Sequence, residues 1–97
     1  MKTDEELLRL YAETRDKVAL VALVDRHLKR IARSVADYLG QRGTPRAIGE
    51  IVRNTLIDLR KLRNLAPYLR DGSIRSFLDE RAEWRSAAYQ KRWDRAA

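Results

Sequence analysis

The residues between Ile48 and Leu62 repeat apolar side chains at steps of three and four, which is the period of an amphipathic helix. Thr44 precedes this segment as an N-cap, and Pro45 stands at the first helical position, where its missing N–H costs nothing. The segment therefore predicts a helix that buries one face for four turns. The predicted apolar stripe consists of Ile48, Ile51, Val52, Thr55, Leu56, Leu59 and Leu62.

Start and stop signals divide the rest of the chain into further helices. Thr3 and Glu6 form a capping box before a short first helix, and Asp16 caps a long second helix that ends at Gly40. Ser73 can cap a last helix. The predicted stripe of the second helix is Val21, Val24, Leu28, Ile31, Val35 and Tyr38, and the last helix is predicted to pack Ile74, Phe77 and Leu78.

Composition agrees with this helical pattern. Glycine and proline together number only six, and no strand alternation or internal repeat interrupts the helices. A chain of 97 residues is long enough for one modest core. The expected fold is all-α: a compact bundle of about four helices, one of them short, forming a single domain over residues 1–97.

Residues that carry catalytic or metal chemistry are scarce in the sequence. There is no cysteine, and the single histidine, His27, is expected to be a boundary residue on a helix face because it has no second histidine or nucleophile to work with. Carboxylates alternate with basic residues, and no glycine-rich phosphate loop occurs. We therefore expect a non-enzymatic protein without a metal or cofactor.

The lack of cysteine, the N-terminus and the hydropathy predict a cytoplasmic protein. The N-terminus lacks the charged and then apolar order of a signal peptide. No apolar run approaches the roughly 18 residues that a membrane span needs. No membrane association is expected.

Positive charge is concentrated at the C-terminal end, where residues 60–97 hold ten basic and five acidic side chains. Such an excess favours polyanionic partners through counterion release. Aromatic and basic side chains alternate there, which suits base stacking beside phosphate contacts. Alternatively, the tryptophans pack against the bundle or a partner helix while the arginines are solvated. The residues are Arg81, Trp84, Arg85, Tyr89, Lys91, Arg92, Trp93 and Arg95.

Two sequence blocks resemble region 2 of the extracytoplasmic-function sigma factors, small initiation factors of bacterial RNA polymerase. Residues 50–59 are similar to the family's acidic-Leu-Val-Gln-x-x-Phe-Leu-x-Leu helix. Residues 72–78, Gly-Ser-Ile-Arg-Ser-Phe-Leu, follow at the family's spacing in place of Gly-Ser-Phe-Arg-Ala-Trp-Leu. The N-terminal half, from residue 7 to residue 40, looks like the family's opening helices, so the resemblance spans nearly the whole chain.

The resemblance implies two binding functions. One is docking on the clamp helices of the largest subunits of core RNA polymerase, for which the candidates are Glu50, Arg53, Asn54 and Ile57. The other is capture of the melted upstream promoter element, in which Tyr68, Arg70 and Ser73 belong to a loop that holds a flipped base and Arg75 opens the next helix. The basic and aromatic C-terminal stretch adds further candidates for DNA contact, namely Arg81, Trp84, Arg85, Lys91 and Arg92.

The chain also departs from the family's pattern. Arg53 replaces the family's glutamine, and Arg81, Trp84, Ala88 and Lys91 stand where the last helix usually has Ile, Asn, Asp and Arg. The family's second DNA-binding domain is expected to be absent from this chain. The departures in the last helix favour an alternative: a sigma-like interaction module that binds an anti-sigma factor or another regulator without reading DNA. A helical DNA-binding or adaptor domain unrelated to sigma factors is a third hypothesis.

Overall fold

The computed structural model describes residues 2–70 and 72–96. The chain folds into four α-helices and two short 3₁₀ turns over these residues. The helices are α1 (Asp4–Thr14), α2 (Lys17–Leu39), α3 (Pro45–Arg60) and α4 (Ser73–Ala96), and the turns are Gly40–Arg42 and Ala66–Tyr68. This confirms the predicted all-α fold with about four helices. Asp71, which the sequence places in the loop before α4, lies outside the described residues.

The predicted helix starts are confirmed by side-chain hydrogen bonds at three N-caps. A side-chain oxygen of each cap accepts from a backbone N–H of the first turn, which would otherwise lack a partner. The pairs are Thr3 with Glu6 at 3.1 Å, Asp16 with Val18 at 2.9 Å and Thr44 with Ala47 at 3.2 Å. Gly40 ends α2 as predicted, with a φ of 57°. Ser73 was predicted to be the N-cap of the last helix, but it is the first residue of α4 itself.

The core lies where α2 meets the other three helices. Helix α4 packs against both α2 and α3, and α1 packs on α2. The side chains at the centre of the core are less than 2% exposed, and the predicted packing of the last helix is confirmed because Ile74, Phe77 and Leu78 are buried. The largest central side chains are Leu8, Leu23, Ile31, Ile51, Ile74 and Leu78.

The buried stripe of α2 differs from the prediction. The buried residues recur at every fourth position, namely Ala19, Leu23, His27, Ile31, Val35 and Leu39. Of the predicted stripe, Val21, Leu28 and Tyr38 are instead 56%, 39% and 44% exposed. Each step of four residues advances about 40° beyond a full turn. The stripe therefore winds around α2, because α1, α3 and α4 contact this helix from different sides.

Candidate functional site

The outer face of α3 brings together the four residues that the sequence assigns to polymerase binding. Helix α3 turns Ala47, Ile51, Val52, Thr55 and Leu59 into the core. The opposite side of the helix is therefore directed away from the bundle. On that side Arg53 is exposed, while Glu50, Asn54 and Ile57 are half-buried.

A cavity of about 440 Å³ lies beside the first turns of α4. Two of the predicted loop residues, Tyr68 and Ser73, line it. Tyr68 packs edge-to-face on Phe77, with ring centroids 5.1 Å apart. Arg70 and Arg75, also predicted to contact DNA, are exposed near the cavity in sequence but do not line it. The remaining lining residues are Pro67, Gly72, Ser76, Phe77 and Glu80.

A carboxylate of α1, which sequence analysis missed, holds the loop at this cavity. Glu5 Oε1 accepts a hydrogen bond from the backbone N–H of Gly72 at 3.0 Å. Gly72 has a φ of 76°, a left-handed conformation that a glycine adopts at little cost. The contact joins residues 67 positions apart, so no local sequence pattern could have indicated it.

Three of the arginines predicted to contact DNA are engaged within the protein. Arg85 donates to both carboxylate oxygens of Asp58, with distances of 2.8 Å and 2.6 Å. Arg81 lies 3.9 Å from the same carboxylate, and Arg92 pairs with Glu50 at 3.1 Å. These contacts fasten α4 to α3. They also mean that one predicted polymerase-binding residue and one predicted DNA-binding residue neutralise each other.

The Asp58–Arg85 pair is the most enclosed of these contacts, because the Asp58 side chain is 13% exposed. The hydrogen bonds from Arg85 hold the pKa of Asp58 below its ordinary value, although burial acts in the opposite direction. The same hydrogen bonds raise the pKa of Arg85. Both side chains are therefore charged near neutral pH. Their contact is bidentate, a geometry that makes arginine–carboxylate pairs strong and specific.

Trp84 is half-exposed, but guanidinium groups lie over its ring. The Arg81 and Arg85 guanidinium carbons are 5.4 Å and 5.1 Å from the ring centroid. Trp93 is 49% exposed and neighbours Tyr89, and Lys91 is exposed. The tryptophans therefore stand at the surface of the bundle, where a ligand or a partner helix could contact them.

His27 is buried, which corrects the expectation of a boundary residue. Its side chain is 5% exposed and its Nε2 lies 2.8 Å from Asp4 Oδ2. Arg30 donates to Nδ1 and also to Asp79 of α4. His27 thus belongs to a polar network that connects α1, α2 and α4. The sequence could not indicate this network, because its members come from three helices.

Gly49 lies on the outer face of α3, between Arg46 and Arg53. An added Cβ would meet no heavy atom within 4 Å apart from the neighbouring backbone of the helix, so no close approach within the chain requires a glycine. A glycine inside a helix costs about 1 kcal/mol relative to alanine. Arg46, Gly49, Glu50 and Arg53 line a shallow depression of about 450 Å³.

Neither a metal site nor a membrane span is seen in the part of the chain that the structure describes. Within residues 2–70 and 72–96, no three His, Cys, Asp or Glu side chains are grouped so that they could hold a metal ion. Over the same residues, no helix combines the length and apolar character that crossing a bilayer requires.

Comparisons of the chain with known proteins found no relative. No protein-family model matches the chain, and no match was found among curated proteins or among solved structures.

Proposed function

We propose that this chain is a sigma-factor-like transcription initiation domain of the bacterial cytoplasm. It binds core RNA polymerase through the outer face of α3, and it contacts promoter DNA at the melted upstream element through the start of α4. It catalyses no reaction itself. The polymerase-binding residues are Glu50, Arg53, Asn54 and Ile57, and Tyr68 and Ser73 contact an unstacked base.

The observation that carries the proposal is the cavity beside Tyr68. Its lining combines the aromatic rings of Tyr68 and Phe77 with the hydroxyls of Ser73 and Ser76. An unstacked base needs an apolar or aromatic surface against its faces and polar groups at its edge, and this lining offers both. The loop is also held in place, because Glu5 bonds to Gly72 at the cavity wall.

The ion pairs of α4 favour a second candidate function. Arg85, Arg81 and Arg92 pair with carboxylates of α3, and the acidic Glu80 lies at the cavity. Arginines held in this way are less available to neutralise phosphates. The alternative is a sigma-like module that binds an anti-sigma factor or another regulator without reading DNA.

Co-purification with bacterial core RNA polymerase at low salt tests the first function. We expect the chain to bind core polymerase, and the resulting complex to retain a pool of single-stranded DNA oligonucleotides. The absence of association with core polymerase at low salt would contradict the proposal. Association with the polymerase but no retention of DNA would favour the interaction module.

A matched pair of variants tests the cavity. Ser76→Gln fills the cavity from an exposed position, and we expect it to abolish DNA retention while polymerase binding persists. Tyr38→Ala removes a 44% exposed tyrosine on α2 and should leave DNA retention unchanged. Equal DNA retention by the Ser76 variant and the wild type would contradict base capture at this cavity.

A further inference from the structure

The N-terminal half of α2 leaves an apolar stripe at the surface of the bundle. Val18, Val21 and Leu28 are 75%, 56% and 39% exposed. With Asp25 they recur at steps of three, four and three residues, which is the spacing of the seam between two packed helices. Single exposed aliphatic residues are common on protein surfaces, whereas a stripe of this spacing over about three turns is typical of a helix contact.

Two opposite charges flank the middle of this stripe. Lys17 and Asp25 are each four residues from Val21, so each lies about 40° from Val21 around the helix and about 6 Å from it along the axis. Both side chains are exposed, and within the described part of the chain neither has an oppositely charged group within 4.0 Å. The stripe therefore carries a positive charge on one side of Val21 and a negative charge at the same distance on the other.

This arrangement of charges is complementary to itself. A second copy that packs antiparallel, with its Val21 against Val21 of the first, places Lys17 of each copy opposite Asp25 of the other. A parallel pair would instead bring lysine to lysine and aspartate to aspartate, and like charges at a helix contact oppose association. The charges therefore favour a second copy as the partner of the stripe, in the antiparallel orientation.

We infer that the chain forms an antiparallel homodimer through the apolar stripe of α2, with a two-fold axis at Val21. Val18 contacts the half-buried Val24 of the other copy. A Lys17–Asp25 pair lies at each end of the contact. One helix pair buries less than the roughly 800 Å² per partner of a standard interface, so we expect a weak dimer with a dissociation constant on the order of 100 μM. The inference goes beyond the proposed function and does not depend on it.

Sedimentation equilibrium of the full chain measures dimerisation, and charge variants test the contact. Lys17→Glu and Asp25→Lys should each weaken dimerisation about tenfold, because the two-fold symmetry turns both attractive pairs into repulsive ones. The double variant has opposite charges again and should recover the wild-type affinity to within about threefold. Asp37→Lys is the matched control: Asp37 is an exposed residue of α2 about 160° around the helix from Val21, and its reversal should change affinity less than about twofold.

Lys17→Glu also separates the specific contact from two simpler effects. It lowers the net charge of each copy, which is +7 in the wild type, so general repulsion between copies would predict stronger association and not weaker. It adds a carboxylate to the first turn of α2, where the helix dipole favours negative charge, so the variant should remain folded. Equal or stronger dimerisation of this variant would overturn the inference.

Single cysteines test the orientation, because the chain has no cysteine of its own. Val21→Cys places two thiols beside each other at the two-fold axis, and mild oxidation should link the two copies. Leu28→Cys places its thiols about 21 Å apart along the helices of an antiparallel pair, beyond the reach of a disulfide. Equal crosslinking of the two variants would contradict the antiparallel contact at Val21.

Two further outcomes would overturn the dimer. One is a wild-type chain that remains monomeric at about 1 mM, well above the expected dissociation constant. The other is a double charge variant that dimerises no better than the single variants. Neither outcome affects the proposed function, because the binding of core polymerase is measured separately.

Discussion

At the scale of single residues, Asp58 shows how one carboxylate can join two helices. It accepts two hydrogen bonds from Arg85 across 27 positions of sequence, and its side chain is largely enclosed. Those hydrogen bonds hold the pKa of Asp58 below its ordinary value of 3.8. The stability that the pair contributes is therefore fully present above about pH 4–5 and declines as the pH falls through the lower folded pKa.

Asp58→Asn should lower the free energy of unfolding by about 2 kcal/mol at pH 7, because it removes a charge-assisted pair. Urea unfolding of the variant and the wild type from pH 7 to pH 2 measures the difference, which should shrink towards acidic pH. Asp37→Asn, at an exposed position of α2, is the control and should change stability little at any pH. A constant difference across the pH range would show that the pair does not titrate as stated.

In its neutral form, His27 should carry its ring proton at Nε2. The Arg30 guanidinium can only donate, so Nδ1 must accept, and Nε2 is left to donate to Asp4. Nitrogen-15 NMR of the histidine ring distinguishes the two tautomers. In Arg30→Gln the amide can donate or accept, so the constraint on Nδ1 should weaken. Detection of the Nδ1-protonated form as the main species in the wild type would refute this hydrogen-bond assignment.

At the scale of elements, α2 connects the bundle, and its buried stripe decides which side chains matter for stability. Leu23 is fully buried, whereas Val21, two positions earlier on the same helix, is 56% exposed. Because both residues are aliphatic, a comparison of their alanine variants shows the effect of burial on stability at similar hydrophobicity.

Leu23→Ala should lower the free energy of unfolding by about 3 kcal/mol, because it leaves a cavity at the centre of the core. Val21→Ala should change it by no more than about 0.5 kcal/mol. Thermal and urea unfolding of the two variants checks this contrast. The opposite order would favour the stripe that the sequence pattern predicts over the stripe seen in the structure.

At the scale of the whole molecule, the distribution of charge, more than the net charge of +7, determines where phosphates should bind. Arg81 and Arg85 pair with Asp58, and Arg92 pairs with Glu50, so part of the C-terminal excess is neutralised against α3. Arg70, in the loop before α4, and Arg75, in the first turn of α4, are exposed. Phosphate binding should therefore centre on the start of α4 and not on its Arg-rich second half.

Arg75→Gln should reduce the slope of log affinity against log salt for single-stranded DNA by about 0.7, the effect of losing one phosphate contact. Arg81→Gln should leave the slope nearly unchanged. The slope is measured by titrating the core polymerase complex with labelled oligonucleotide at several salt concentrations. A larger slope change in the Arg81 variant would place the phosphate contacts further along α4 instead.

The local features of the fold could be predicted from the sequence. The caps at Thr3, Asp16 and Thr44 were predicted because a cap and the N–H groups it satisfies are at most three residues apart. The buried face of α3 was also predicted, because its period of three and four residues repeats within one helix. Tyr68 and Ser73, which the resemblance assigns to one loop, line the same cavity, and their binding of a base stays a prediction.

The tertiary structure decided which residues from different helices meet. Asp58 and Arg85 are each ordinary charged residues of a helix, and only the packing of α3 on α4 makes them a pair. His27 was expected at a boundary and is buried, since Asp4 of α1 and Arg30 of α2 are the partners of its ring and Asp79 of α4 binds Arg30. The stripe of α2 winds because its neighbours lie on different sides. Helix period and capping are short-range properties of a sequence, whereas the partner of a side chain depends on the path of the whole chain.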